Sequence, residues 1–389
     1  MIRKYMTGAA ALLFCIMLAG CQGASPAPAQ EGSGDIEDPA AVGEAEQEGE
    51  EEGISEDATG EGIGSLEYAV DVPETDEELS FYQKLAGGQK VRILVAGDSL
   101  ATGFTIENEE EKWTSLLKTD LEEFYGSQVE MDNVSLGKCD SYAVYGTIME
   151  YDPEEPADLV ILCCGYNDES TEDLALNYET AVRGIRHRFD TASLICVLPS
   201  CEKEYTDKIT KIREIAEHYD AVVADTIGPF MDHVSEYSDD GVHPNAKGAQ
   251  VYAGVLEDVI SAQAAEGRIR DQGDETPINE ASAAMDYTTW YSVDSMVRED
   301  DTTWVLEGFF CDNAVIGMDM VWQVGDNHMT MKEGDTVLAE WSGTQKDNFT
   351  FRYIKTVTDS LTVSGDLKLV FGSADQADGF RGILVSEAQ

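Results

Sequence analysis

Three side chains in this sequence have the types and the order that nucleophilic acyl transfer needs. They are Ser99 in the run Gly97, Asp98, Ser99, and Asp240 with His243 in the run Asp240, Gly241, Val242, His243, Pro244. A serine hydroxyl is a poor nucleophile until a neutral imidazole accepts its proton, and that imidazole must be oriented by an acceptor on its other nitrogen. Because Asp240 and His243 share one short loop, the carboxylate or a nearby carbonyl can reach the ring. Negative charge on the attacked carbonyl oxygen then needs preorganised donors. The Ser99 amide, the Gly137 amide and the Asn167 side-chain amide are the candidates. Each block alone also reads as structure: Gly-Asp-Ser as a turn, Gly137 as a turn glycine, Asn167 with Asp168 as a helix N-cap. Of the other histidines, His187 and His218 fall on helical stretches and His233 and His328 have no partner motif.

What gives the blocks joint meaning is the set of elements that must carry them. Short apolar runs at 90–97, 128–135, 158–164, 193–198 and 221–225 alternate with helical patterns at 112–125, 142–149, 172–189, 203–219 and 245–265. Several of the runs are continuously apolar, which predicts a parallel sheet covered on both faces, an α/β domain over 76–266. Ligands bind such sheets outside the carboxyl ends of the strands. Gly97 to Ser99, Asn133 to Gly137, Gly165 to Asp168 and Asp240 to Pro244 all fall at such ends.

In these blocks the chain resembles the SGNH hydrolases, also called the GDSL esterase and lipase family, over residues 90–265, about half its length. The four residues that name the family correspond to Ser99, Gly137, Asn167 and His243. The resemblance implies a flavodoxin-like three-layer sandwich with a five-stranded parallel sheet, ester hydrolysis and no cofactor. Ala101, Thr102 and Gly103 vary the stretch after the nucleophile, and Lys138 to Tyr142 are less typical, which bears on substrate choice. There is no Gly-x-Ser-x-Gly, so the elbow of the α/β-hydrolases is not the comparison.

The ends of the chain carry other signals. Arg3 and Lys4 precede the apolar stretch from Ala9 to Leu18, which has signal-peptide character. Leu18, Ala19, Gly20, Cys21 resembles the lipobox of bacterial lipoproteins, so 1–21 is read as a lipoprotein signal with Cys21 as the lipidated residue. Between Gln22 and Gln83 there are 19 carboxylates and no Lys or Arg, and 22–75 is expected to stay unfolded as an acidic tether. Together these predict export and anchoring to the outer face of a bacterial cell membrane through the N-terminal lipid. After Glu266, a polar stretch at 267–285 reads as a linker. Residues 286–389 read as a small all-β domain, a sandwich or barrel, with strands at 302–310, 314–324, 336–341, 348–356 and 366–372. Trp290, Trp304, Trp322 and Trp341 lie there, as core or, for one or two of them, as a sugar-stacking face.

Charge narrows the function further. The chain of 389 residues has 25 Lys and Arg against 77 Asp and Glu, a formal charge of −52, which repels nucleic acid and disfavours anionic substrates. No CxxC pair and no HExxH occurs, so no metal site is indicated. Cys139, Cys163, Cys164, Cys196, Cys201 and Cys311 read as buried small hydrophobes, with a Cys196–Cys201 bridge left open by export. The loop from Ser99 to Glu111 is polar, which predicts a hydrophilic mouth. The expected function is a serine esterase acting on a small acyl ester or an O-acetylated glycan. Transfer of the acyl group to a sugar hydroxyl, or a noncatalytic glycan-binding lipoprotein, remains the alternative.

Overall fold

The computed structural model describes residues 79–387 apart from 270, 272 and 274. The lipobox and the acidic stretch therefore lie outside the described residues. The first element, α1 (Phe81–Ala86), begins at a capping box in which Ser80 and Gln83 bond each other's backbone. Phe81, Tyr82 and Leu85 bury its apolar face, so the described residues open with a helix that the acidic context hid.

Five strands follow: β1 (Val91–Gly97), β2 (Val129–Asn133), β3 (Leu159–Cys163), β4 (Ser193–Leu198) and β5 (Val222–Asp225). They form one parallel sheet in the order β2-β1-β3-β4-β5. Strands β3 and β4 are buried at every position, as continuous apolar runs require when helices cover both faces. The helices in chain order are α2 (Ser99–Thr102), α3 (Trp113–Tyr125), α4 (Ser141–Glu150), α5 (Thr171–Arg188), α6 (Asp207–His218), α7 (Ile227–Phe230), α8 (Val234–Tyr237) and α9 (Ala246–Ala265). One apolar layer joins the sheet to α4, α5 and α6, the other joins it to α1, α3 and α9. The chain reverses direction across the sheet between β1 and β3, the switch point where an open α/β sheet leaves a crevice. Cys196 packs in the first layer and Cys201 in the second, which separates them across the sheet, and all six described cysteines are free and buried.

The segment expected as a linker is packed along α5. The buried Asp271 carboxylate accepts from the Leu194 N–H and pairs with Arg186 and Arg268. Glu179 accepts from the Ile278 and Asn279 N–H groups and the Tyr219 hydroxyl, while Arg183 donates to Asp286 and to the Glu275 carbonyl. A short helix, α10 (Glu280–Ala283), leads into the β domain.

That domain comprises β6 (Thr288–Ser292), β7 (Val297–Asp300), β8 (Thr303–Trp322), β9 (Gly325–Glu333), β10 (Thr336–Gln345), β11 (Phe351–Phe371), α11 (Ala374–Asp378) and β12 (Phe380–Ser386). Its seven strands are hydrogen-bonded in one antiparallel sheet, ordered β10-β9-β11-β8-β12-β6 with β7 on β8, and carry an apolar core of their own, as an all-β domain requires. The runs 302–310 and 314–324 fuse into β8, and 348–356 and 366–372 fuse into β11. Residues read as turns are bulges instead: the β8–β11 pairing shifts register four times, and Asn313 takes a left-handed φ of 51° inside the strand.

From Ile316 to Met320 β8 is buried at consecutive residues, hence on both faces. One face meets the β-domain core and the other meets α4. A Cβ at Gly317 would lie 2.3 Å from the Tyr142 hydroxyl, so only glycine allows this approach. Ile354 of β11 and Leu384 of β12 belong to the same apolar layer as α4 and α5. Beside them the fully buried Asp319 side chain accepts from Arg352 at 3.0 and 3.1 Å, and Arg352 also bonds Glu150 of α4.

Removing one partner of such a pair leaves an uncompensated charge in the interface. Arg352→Met is expected to lower the unfolding free energy by about 3 kcal/mol, measured by urea denaturation. Adding Asp319→Asn should recover part of the loss. Wild-type stability in the single variant would mean that Arg381, 3.5 Å from Asp319, suffices by itself.

Candidate active site

Ser99 is the first residue of α2, immediately beyond β1. The turn that puts it there depends on Gly97, where a Cβ would lie 2.2 Å from the Cys163 carbonyl oxygen and 2.7 Å from the Ala101 Cβ. Asp98 caps α2, its Oδ1 accepting from the Leu100 N–H at 2.9 Å. Its side chain is completely buried, which pushes the carboxyl up to about 7 although the Leu100 amide pulls the other way.

His243 comes from the loop between α8 and α9, where Gly241 takes a φ of 78° and Pro244 bridges back to Ser238. Asn245 then caps α9 by accepting from the Lys247 and Gly248 amides. The Thr105 hydroxyl donates to the Pro244 carbonyl at 2.8 Å and so ties this loop to the nucleophile segment. The His243 Nε2 lies 2.9 Å from Ser99 Oγ, and its Nδ1 lies 2.7 Å from Asp240 Oδ2. Asp240 Oδ1 accepts from the Val242 and His243 N–H groups at 2.8 Å each. Partial burial alone would raise the Asp240 carboxyl. The His243 ring and these two amides outweigh it and hold the group well below the usual carboxylate range. An anion on Nδ1 makes that nitrogen the donor and turns the Nε2 lone pair toward the Ser99 hydroxyl.

Gly137 and Asn167 arrive from β2 and β3. The Leu136 N–H donates to the Gly97 carbonyl at 3.0 Å, which draws the loop after β2 over the Ser99 turn. The Asn167 Nδ2 donates to the Cys139 carbonyl at 2.9 Å and reaches Asp98 Oδ2 at 3.4 Å. Both of its hydrogens thus have a protein acceptor, and the long contact to Asp98 is the one an oxyanion would displace. Asp168 does not cap α5; Ser170 does. The buried Asp168 carboxylate instead accepts from the Ser141 hydroxyl and amide at the start of α4, and burial raises it to about 6.

Several neighbours carried no sequence motif. The 65% exposed Phe104 packs edge-on against the His243 ring at 4.9 Å, so one wall of the mouth is aromatic where the loop composition predicted a hydrophilic one. A lone aromatic in a polar loop was the available signal. Lys138, next to Gly137, reaches into the β domain to pair with Asp347 and lies 4.4 Å from the Phe349 ring centroid. Beyond it Trp322 stacks on Tyr353 at 4.2 Å and packs at 6.3 Å from Trp341. Trp304 is tied inward, its Nε1–H donating to the Ala377 carbonyl. Among the described residues no group of His, Cys, Asp and Glu side chains has the arrangement of a metal site.

The model of the GDSL-like lipase/acylhydrolase family matches residues 95–251, a span from β1 into α9 that contains Ser99, Gly137, Asn167, Asp240 and His243. No curated protein matches the chain. Among solved structures, a two-domain esterase (CEX) active on acetylated mannans superposes with a TM-score of 0.62 at 14% identity, covering 79% of this chain and 94% of that one. The esterase of the same description co-crystallised with mannopentaose gives 0.60 at 13% identity, with coverage of 79% and 93%. At these identities the likeness is one of fold, and its extent takes in both domains.

Asp98 makes the site's stability depend on pH. Its carboxyl titrates near the ordinary 3.8 when unfolded and at about 7 in the fold, so the folded state holds the proton more tightly. The associated stability is complete below pH ~4 and is lost as pH rises through ~7. Asp98→Asn keeps an acceptor for the Leu100 amide and removes the titration. The stability of the variant relative to wild type should therefore improve by roughly 2 to 3 kcal/mol between pH 5 and pH 8, read from denaturation at both pH values. A constant difference would mean that Asp98 does not titrate there.

Proposed function

With residues 95–251 belonging to the SGNH, or GDSL-like, hydrolases and the protein therefore a carboxylic ester hydrolase, we propose that it removes acetyl groups from O-acetylated carbohydrate by way of an acyl-serine. The observation that carries the reading is the continuous relay from Ser99 Oγ through His243 Nε2 and Nδ1 to Asp240, with contacts of 2.9 and 2.7 Å.

In this reading the Ser99 hydroxyl gives its proton to His243 as Oγ attacks the ester carbonyl. Asp240, held as an anion, stabilises the imidazolium. The Ser99 and Gly137 amides and the Asn167 side chain receive the oxyanion, Asn167 exchanging its long contact with Asp98 for a charged acceptor. When the tetrahedral intermediate collapses, the imidazolium protonates the departing sugar oxygen. Water, deprotonated by the same ring, then attacks the acyl-serine. Acetate leaves and the serine is restored.

Three observations support a short acyl group on a neutral glycan. The segment after α2 is exposed and acidic at Glu107, Glu109, Glu110 and Glu111, whereas a long acyl chain needs a continuous apolar groove to gain its ~0.8 kcal/mol per buried CH₂. The net charge of −52 disfavours anionic lipids and wall polymers. Phe104 beside His243, and the Trp322, Trp341 and Tyr353 cluster beyond Lys138, offer rings of the kind on which sugars stack. An esterase with the same two-domain fold is described as active on acetylated mannans. We also infer an exported lipoprotein anchored through Cys21; its basis is the N-terminal sequence, outside the described residues.

Ser99→Ala is expected to lose turnover of p-nitrophenyl acetate and labelling by a fluorophosphonate, with its melting temperature unchanged. Full activity in that variant would end the proposal. Asn167→Ala should lower kcat by about 10² to 10³ with little change in KM. Across an acyl series kcat/KM should fall from two carbons to eight; a rise would make the protein lipase-like. Membrane fractionation tests the anchor, since Cys21→Ala should be released or left unprocessed, and equal retention would require another anchor.

A further inference from the structure

The peptide that offers the Gly137 amide is tied locally at its other end, the Leu136 carbonyl accepting from the Cys139 thiol at 2.9 Å, but its Gly137 side is open. Gly137 is exposed, and nothing lies within 4 Å of the position its Cβ would take. The next residue, Lys138, has a φ of 65°, a left-handed conformation that a side-chain-bearing residue holds only when its surroundings enforce it. On the hydrolase side the loop is held at its two ends, by the Leu136 amide on Gly97 and by Asn167 on the Cys139 carbonyl. The side chains of Lys138 and Asp140 are met from the β domain, more than 200 residues away along the chain. Lys138 Nζ lies 2.5 Å from Asp347 Oδ2, and 4.4 and 5.3 Å from the Phe349 and Phe351 ring centroids. Two residues on, Asp140 caps α4 and is met by Lys355 Nζ of β11 at 3.4 Å. The β domain thus presents an anion to residue 138 and a cation to residue 140, on either side of Cys139.

We propose that the β domain is a positioning element for the oxyanion loop: the clamp of Asp347, Phe349 and Phe351 on Lys138, with Lys355 on Asp140, sets the orientation of the Gly137 N–H. This rests on the reading of Gly137 as an oxyanion donor. An exposed ion pair by itself contributes little. Here the same ammonium also lies over two rings, and the backbone it anchors is one that would otherwise relax. A donor displaced by about 1 Å can cost as much as ~10² in rate without altering binding. The clamp therefore acts on chemistry even for an ester too small to touch a glycan-binding surface.

The test uses the full chain, because deleting the β domain would strip Ile354 and Leu384 from the hydrolase core. With p-nitrophenyl acetate, Lys138→Met and Asp347→Asn should each lower kcat about tenfold, with KM within about twofold and melting temperature unchanged. Lys138→Arg and Asp347→Glu, which keep the charges, should stay near wild type. Lys138→Gly separates backbone from side chain: it suits the left-handed φ but abolishes the clamp, and should be slow. Wild-type kcat in Lys138→Met, Asp347→Asn and Lys138→Gly, with Ser99→Ala inactive, would overturn the clamp alone. An effect confined to KM for an O-acetylated polysaccharide would overturn it too, and would assign these residues to glycan binding. Activity in Ser99→Ala would instead overturn the reading of the site on which the clamp rests.

Discussion

The closeness with which β1 meets the backbone of β3 at Gly97 is the constraint on which the site depends. Any side chain there would collide with the Cys163 carbonyl and with Ala101 in the first turn of α2. That contact lets the chain leave β1 and enter a helix within two residues, which lifts Ser99 to the edge of the sheet. The same Gly97 carbonyl accepts from Leu136, so one residue sets the height of both Ser99 and the loop that carries Gly137. The switch point between β1 and β3 then leaves the crevice into which His243 is delivered from the far side of the sheet.

A protein with this excess of acid has to manage its carboxylates, and four of them, Asp240 exposed and Asp319, Asp271 and Asp98 with buried side chains, show different solutions. Asp240 stays ionised because two amides and an imidazole bond it, as the orienter of a base must. Asp319 is matched by Arg352 and Arg381, and Asp271 by Arg186 and Arg268, so these charges hold separate parts of the chain together. Among the described residues no cation pairs with Asp98, and burial raises it, next to Ser99. Burial without a paired cation is what sets this carboxyl apart from Asp319 and Asp271.

The β domain is not an appendage on a linker. Its sheet lies on α4 with β8 buried on both faces, and two of its side chains belong to the hydrolase core. Helix α4 begins at Asp140, just past the loop carrying Gly137, so any domain seated on α4 is also seated at the site. The aromatic rings and Lys138 meet for that reason.

Local chemistry was what the sequence by itself determined. Apolar runs of strand length, helical periodicity and turn residues act over a few positions, so the five strands and the helices α3, α4, α5 and α9 were legible within a residue or two, while the short helices α7 and α8 that separate the Asp240 to Pro244 block from β5 were not. The proximity of Ser99 to His243 followed once the strand ends were known to converge. In the β domain the same reasoning divided β8 and β11 into pieces, because Asn313 and Gly365 read as turns when cross-strand pairing makes them bulges. Only the tertiary structure decided what depends on pairing across distance. Examples are the burial of Asp98, the prior engagement of the Asn167 amide, Phe104 against His243, and the meeting of Lys138 with Asp347. Such contacts join residues whose spacing carries no period, and their energies arise from burial and geometry that exist only after the chain has closed on itself.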